Sequence, residues 1–451
     1  MENKRTLDDS KFPRSGWLVL LLFGAIGQIA WAVENMYFNL FVYETIAPDL
    51  NTVTLMVQLS GIVATLTTLV AGVMSDKLGN RRGFISIGYA IWGITVALFG
   101  CLSPELVGAL LGLDAIRAMS VTLTLVVVGD CVMTLFGSTA NDAAYNAWVT
   151  DNTEPAYRGR IESIVAMLPL AAMLIVAGGF GILVSAVGYR TVFILLGTVI
   201  SASGIVGLFV IKDSTKMERS GTFRDIFYGF RPSVVRENLP LYTTLLAVLV
   251  YGIACQVFMP YLIIFMSTYL GFSVLEYSIV FGGAIIVGAV INIFLGKLSD
   301  KMDKTRLLYF AAGIFAAGLL FMYFASMIKA KLALILFFGL GGFVMIVGYI
   351  FISALCGSTT RDYTPSGSVG KLQGVRMVFS VLIPMLVGPA LGNAINRSRG
   401  VKLPNLDSAD VMTTEYIPAP EIFLVAALIS LLLFAVIPLI SGCVKAKGKK
   451  C

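Results

Sequence analysis

The chain has 451 residues, 57% hydrophobic and 13% charged, with a net charge of +7 and a mean hydropathy of +0.88. That balance lies outside the range of soluble domains and reads as a membrane protein rather than a water-soluble enzyme or a nucleic-acid module. There is no histidine, and the six cysteines (Cys101, Cys131, Cys255, Cys356, Cys443 and Cys451) lie in apolar runs or at the tail, without zinc-ligand spacing. They read as reduced small hydrophobes.

Apolar runs of about 20 residues, the length that spans a bilayer, occur at 17–43, 53–75, 83–102, 119–150, 161–184, 190–211, 240–266, 276–298, 306–327, 332–355, 371–395 and 421–443. The expected fold is an all-α membrane protein with twelve transmembrane helices in two pseudo-symmetric six-helix bundles. The expected division is a polar segment 1–16, a first bundle 17–211, a linker 212–239, a second bundle 240–443 and a basic tail 444–451. The polar start, with no small-residue cleavage pattern, predicts a retained first helix rather than a signal peptide. Of the 33 Lys and Arg, 26 fall on the side that holds both ends. The positive-inside bias then puts both termini in the cytoplasm, and the tail lysines suit an anionic leaflet of the plasma (inner) membrane.

Span one holds WAVENMYFNLFV, with Glu34 inside an apolar run. A charge there costs on the order of 3 kcal/mol and normally faces a protein interior or a water cavity. At about 100° per residue, Gln28, Trp31, Glu34, Asn35 and Asn39 share one sector. After span two comes GVMSDKLGNRRG (72–83), with Gly72, Asp76, Gly79, Arg81 and Arg82 at the membrane edge. Span four repeats the pattern of span one, with Asp130, Thr134, Ser138, Asn141, Asp142 and Tyr145 on one stripe. Trp31, Tyr145 and Trp148 serve either as packing or as a platform for a sugar face.

The linker carries Phe223, Ile226, Phe227 and Phe230 at helical spacing between basic residues, and Thr222 with Asp225 resembles a capping box. We expect a short amphipathic helix on the inner surface. In the second half, GKLSDKMDKTRL (296–307) repeats the Gly-x-x-Ser-Asp-Lys pattern and includes Asp300. Asp362 precedes Gly370 by the same eight residues that separate Asp151 from Gly159. Span seven adds Gln256 and Tyr261, span eight Asn292, and span ten Tyr349 and Ser353.

Twelve spans in two halves, with Gly72-x-x-x-Asp76-x-x-Gly79-x-Arg81-Arg82 between spans two and three, resemble the major facilitator superfamily over essentially the whole chain. The second copy of the motif departs from it, with Asp303 where the first has Gly79. The resemblance implies that spans one, four, seven and ten line a central cavity. It also implies that Asp76 and its basic neighbours form a cytoplasmic latch against the start of span eleven, where Arg376 is the expected partner, and that this latch breaks when the transporter turns inward. Within the superfamily, STANDAAYNAWVTDNTEPAYRGR (138–160) is similar to the glycoside/pentoside/hexuronide:cation symporters, the melibiose-permease and sucrose-transporter-like branch. Its span-four aspartate matches Asp142. The two sodium-site acids of span two fall on Ala64 and Thr68, the following aromatic residue on Asn146, and the span-one sugar-binding acid on Ile29. Glu34, on another turn, is placed to substitute for that acid.

Without histidine, a proton relay has only carboxylates to use. Neither a phosphate-binding loop nor a metal cluster is present in the sequence, so ATP-driven transport and metal hydrolysis have no residues to run on. We therefore expect a monomeric secondary transporter, not an enzyme, with no cofactor and no nucleic-acid partner, moving a sugar or glycoside by proton-coupled symport. The expected coupling acids are Asp142 and Glu34. The expected substrate contacts are Gln28, Trp31, Asn35, Asn39, Asp130, Asn141, Tyr145, Asn146, Trp148, Gln256, Tyr261 and Asn292. A proton-driven exporter of amphipathic compounds, a lyso-lipid carrier and a non-transporting receptor on the same fold remain alternatives.

Overall fold

In a bilayer each backbone amide must be satisfied within its own helix, and the chain is helical almost throughout. The computed structural model describes residues 14–153, 158–214, 223–299, 302–365, 372–402 and 416–448. Among them, ten stretches are long and apolar enough to cross a membrane: Ser15–Ile46, Leu50–Leu78, Arg81–Phe99, Ala115–Asn152, Met167–Val210, Leu239–Tyr269, Lys304–Ala325, Lys331–Tyr363, Gln373–Arg399 and Glu421–Cys443. The fifth breaks at Gly188, where φ is 79°, into two spans. Val274–Ser299 supplies the eighth. This is an integral multi-pass protein of twelve transmembrane helices in two pseudo-symmetric bundles.

Helix starts follow capping chemistry. The Asp49 carboxylate accepts from the backbone N–H groups of Asn51 and Thr52 and from both their side chains, which opens span two. Asn80 caps span three and Asp303 caps span nine in the same way. Several spans widen into π-turns, among them Glu34–Phe38, Val42–Ile46 and Ser138–Tyr145. A wider turn advances each residue by less than 100°, so the stripes drawn from a uniform helix drift out of register beyond these points.

The bundles meet along spans two and eleven and along spans five and eight. On the side away from the termini the seam is closed. Tyr43 donates to the Tyr416 carbonyl at 3.1 Å, Asn393 to the Asn51 amide oxygen at 2.9 Å, and Gln58 to the Leu386 carbonyl at 2.8 Å. The hydroxyls of Thr54 and Tyr261 are 2.7 Å apart. Between spans five and eight the closure depends on Gly181, where an added Cβ would come within 2.8 Å of the Tyr37 hydroxyl and 3.1 Å of that of Tyr277.

The linker differs from the expected α-helix. Phe223–Phe230 is a 3₁₀ helix, followed by the short α-helix Pro232–Glu237. Its backbone at Ile226 and Gly229 lies against Gly374 and Val375 at the start of span eleven. That docking onto the second bundle fixes the tighter winding. Three residues per turn align Phe227 and Phe230 on one exposed face. Thr222 of the expected capping box lies outside the described residues, as do most of the segment 1–16 and the end of the tail.

Gly181→Ala overpacks the seam, and overpacking costs about 1–3 kcal/mol. We expect a lower unfolding midpoint for the purified protein. Gly72→Ala is the control: an added Cβ there meets nothing within 4 Å, so its midpoint should hold or rise.

Candidate functional site

Three carboxylates from spans one and four come together inside the first bundle. Glu34 is buried, and its Oε1 accepts from Thr134 Oγ1 at 3.0 Å, while its Oε2 is buried with no hydrogen-bond partner. Asp130 sits one turn before Thr134, also buried, with the Ser60 hydroxyl of span two beside it. Asp142, half-buried, accepts from Ser138 Oγ at 3.0 Å. Glu34 lies within electrostatic reach of both aspartates. Among the described residues, no Lys or Arg pairs with any of the three.

Above the cluster, Trp31 packs against Trp92 with ring centroids 5.0 Å apart. Its indole Nε1 has no partner within hydrogen-bond geometry, and the Asp142 carboxylate is its polar neighbour. The Asn35 amide donates to the Trp31 carbonyl and that of Asn39 to the Asn35 carbonyl, which occupies oxygens at the edge of the π-turn. The Asn146 amide does the same for the Asp142 carbonyl. Asn35 and Asn146 are exposed while Asn39 is buried. Amides in contact with lipid tails would be costly, so the exposed positions of Asn35 and Asn146 suit polar surroundings.

Other residues of the expected stripes have their polar atoms engaged by helix packing. Gln28 donates to Asn141 at 3.4 Å, Asn141 to the Tyr89 hydroxyl at 2.7 Å, and Tyr89 to the Phe23 carbonyl at 2.6 Å. This chain ties spans one, three and four. Tyr145 donates to the Leu20 carbonyl, and the Trp148 indole donates to the Lys212 carbonyl beyond span six. In the second half, Tyr261 is fully buried and donates to the Pro389 carbonyl at 2.9 Å, which places it in the closed seam. Gln256 packs on Gly388 of span eleven. Asp300 and the side chain of Asn292 lie outside the described residues.

Sequence reasoning had no means of finding Tyr89 or Ser60. Each is one hydroxyl among several in its helix, with no acid in mid-helix to single it out. Thr134 and Ser138 were visible only through their spacing from the acids.

The loop after span two is built around Arg81. Its buried guanidinium forms a close ion pair with Asp76, donates to Asp151 Oδ2 at 3.0 Å and to Ser75 Oγ at 2.5 Å. A planar fork is the group that can serve three acceptors at once. Gly79 ends span two with φ of 64°, a left-handed position that favours glycine. The Arg82 backbone N–H donates to Asp213 and its guanidinium to the Leu208 carbonyl, which ties the loop to the end of span six. In this structure Asp76 therefore pairs within its own bundle, and the charged neighbour of Arg376 is Arg361. Among the described residues no ion pair joins Asp76 to Arg376, in a structure whose seam is closed on the side away from the termini. The second half repeats the clamp in reduced form, with Lys304 Nζ 2.6 Å from Asp362 Oδ2.

A family model described as Major Facilitator Superfamily matches residues 20–389. The chain belongs to the major facilitator superfamily. Solved structures of several transporters share this superfamily fold. A mutant of the nucleoside transporter NupG is 13% identical, with 94% of this chain and 99% of that one covered and a TM-score of 0.65. A bacterial homologue of the human lysosomal transporter Spinster, in an inward-facing and occupied conformation, is 13% identical over 96% and 97% of the two chains, with a TM-score of 0.64. A bacterial homologue of the iron transporter ferroportin, in an outward-facing state, is 15% identical over 94% and 98%, with a TM-score of 0.61. No curated protein sequence matches. At these identities the likeness is one of fold: a superfamily transporter, without a substrate.

Arg81→Lys keeps the charge but loses the fork. We expect it to lower the unfolding midpoint and slow transport, with Arg81→Ala worse because it leaves two carboxylates unpaired. Asp76→Asn should be milder than Asp151→Asn, since the Asp76 side chain is 36% exposed and that of Asp151 23%. Thermal unfolding of the four variants checks the order.

Proposed function

We propose that this protein is a proton-coupled secondary transporter of a small polar solute, with Glu34, Asp130 and Asp142 as its coupling site. The observation that carries the reading is the grouping of three acids inside one bundle with no cation beside them and one buried oxygen of Glu34 unpartnered. Carboxylates held this way in a low dielectric keep their place by holding protons or a bound cation. Among the described residues there is no group of His, Cys, Asp and Glu arranged to hold a metal ion. A proton is the smallest cargo such a cluster can take.

Asp142 is the acid that exchanges with the cavity, since it is half-buried beside the exposed Asn35 and Asn146. Glu34 and Asp130 form the inner part of the site. A hydroxylated solute, a sugar or glycoside, suits the cavity: the Asn35 and Asn146 side-chain oxygens accept from hydroxyls, and the Trp31 ring offers an apolar face to a sugar ring. Sodium is disfavoured as the driving ion because Ala64 and Thr68 bring no carboxylate to span two.

If a proton on Asp142 favours substrate, substrate favours that proton by the same factor. Asp142→Asn mimics the protonated acid. It should abolish uptake driven by a pH gradient in proteoliposomes while preserving counterflow, which needs no proton release. Glu34→Gln, at the inner part of the same site, should likewise abolish uptake driven by the pH gradient. Uptake that follows a sodium gradient at clamped pH, or an Asp142→Asn protein that still concentrates solute, would sink the proposal.

A further inference from the structure

Span two meets the acid cluster and the closed seam with opposite faces. It is α-helical throughout Leu50–Leu78, so about 100° per residue sets Ser60 across the helix axis from Asn51 and Gln58. Those two hold span eleven, through the Asn393 amide and the Leu386 carbonyl, and Thr54 meets Tyr261 of span seven. Ser60 is buried on the other face, beside Asp130 of span four. The next residue, Gly61, lies so close to span eleven that an added Cβ would stand 2.7 Å from Met385 Cβ. Ser60 thus stands one residue from that contact and two from Gln58.

A serine hydroxyl has one proton to donate. In this structure Ser60 Oγ donates it to the Val57 carbonyl at 3.2 Å, a bond back to the preceding turn of the kind that bends a helix. With that proton committed, Ser60 can meet Asp130 only as an acceptor, so the carboxyl facing it is the donor and carries its own proton. An ionised Asp130 would instead claim the Ser60 proton, because a charged acceptor makes the stronger hydrogen bond. The titratable groups near Asp130 are Glu34 of span one, Cys131 beside it, and Asp142, which is within reach of Glu34. Span three faces span four with the Tyr89 hydroxyl, held by Asn141, and the segments Val42–Ile46 and Pro104–Leu111 carry Glu44 and Glu105 exposed. Among the described residues no Lys or Arg pairs with Asp130.

We propose that Ser60 is a positioning residue that reports the proton on Asp130 to the seam. It donates to Val57 while Asp130 is protonated and turns to the carboxylate when that proton leaves, which relaxes the bend in span two and releases Asn51 and Gln58 from span eleven. This role rests on the proton-coupled reading of the cluster, within which Asp142 exchanges the proton and Asp130 is the acid the seam reads. Its sign is that of a symporter. The seam away from the termini is closed while the proton is aboard and opens once it has been given up, so an emptied carrier turns back to load again.

The test is a distance measurement by pulsed electron paramagnetic resonance on the full-length protein in liposomes, without sodium or solute, with spin labels carried on unnatural amino acids in place of Leu110 and Leu332. These residues are 74% and 72% exposed, one on each bundle at the seam side. From acid to alkaline pH the ratio of closed to open seam should fall by about tenfold in the labelled parent protein, the factor of one buried hydrogen bond. In Ser60→Ala it should change by less than about twofold, since no hydroxyl remains to pass from one acceptor to the other. Ser60→Thr keeps the hydroxyl and should restore the response. Asp130→Asn donates as the protonated acid does and should hold the seam closed at every pH. A seam that ignores pH in all four proteins would overturn the proton-coupled reading and this role with it. A seam that follows pH equally with and without the Ser60 hydroxyl, or a loss that Ser60→Thr does not restore, would overturn this role alone.

Discussion

A charge inside a bilayer has to be compensated where it stands, and where the compensation comes from divides this protein into two regions. At the termini side, Arg81 compensates Asp76 and Asp151 directly, and Lys304 compensates Asp362. Inside the first bundle, no cation among the described residues pairs with Glu34, Asp130 or Asp142. Glu34 accepts from the Thr134 hydroxyl and Asp142 from that of Ser138, and Asp130 has the Ser60 hydroxyl beside it. The first arrangement is a fixture of the framework, since removing either partner strands the other. The second has no cation partner among the described residues, and we propose that a proton completes it.

The two halves carry the same clamp with different hardware. In each, a carboxylate after the fourth helix of the bundle is caught by a cation at the start of the third. Arg81 holds Asp151 through a buried fork with two further acceptors. Lys304 holds Asp362 as a single, more exposed point charge. The intramembrane acids show the same inequality, because all three belong to the first bundle. In the second bundle Gln256 packs on Gly388, and Tyr251 donates to the Tyr349 carbonyl. The closure lies in Thr54 against Tyr261, Asn51 against Asn393, and Gly181 beneath Tyr37 and Tyr277.

The spans were legible because apolar length is a local property, and the superfamily was legible in the Gly72–Arg82 loop. The direction of individual side chains was legible only as far as the first wide turn. Glu34 opens one π-turn and Ser138 another, so a constant angle per residue misplaces the side chains beyond them. That is why Asn39, drawn on the cavity stripe, is buried, and why Asn146, beyond the second wide turn, is exposed. Tyr145, Trp148 and Tyr261 look like ligands in a one-dimensional reading, because polar aromatic rings mark cavities and helix clasps alike. Only the partner decides, and the partners are carbonyls 125, 64 and 128 residues away. Asp76 pairs with Arg81, its near neighbour in sequence, in a structure closed on the side away from the termini, the arrangement in which a latch onto span eleven is expected to be broken.

The central claim is that the mid-membrane acids are completed by a proton. The most direct test is infrared difference spectroscopy of the full-length protein in liposomes, titrated through neutral pH without sodium. The account predicts a protonated-carboxyl C=O band that changes over that range and loses amplitude in Asp142→Asn. A protein that shows no such band, with all three acids ionised throughout, would contradict it.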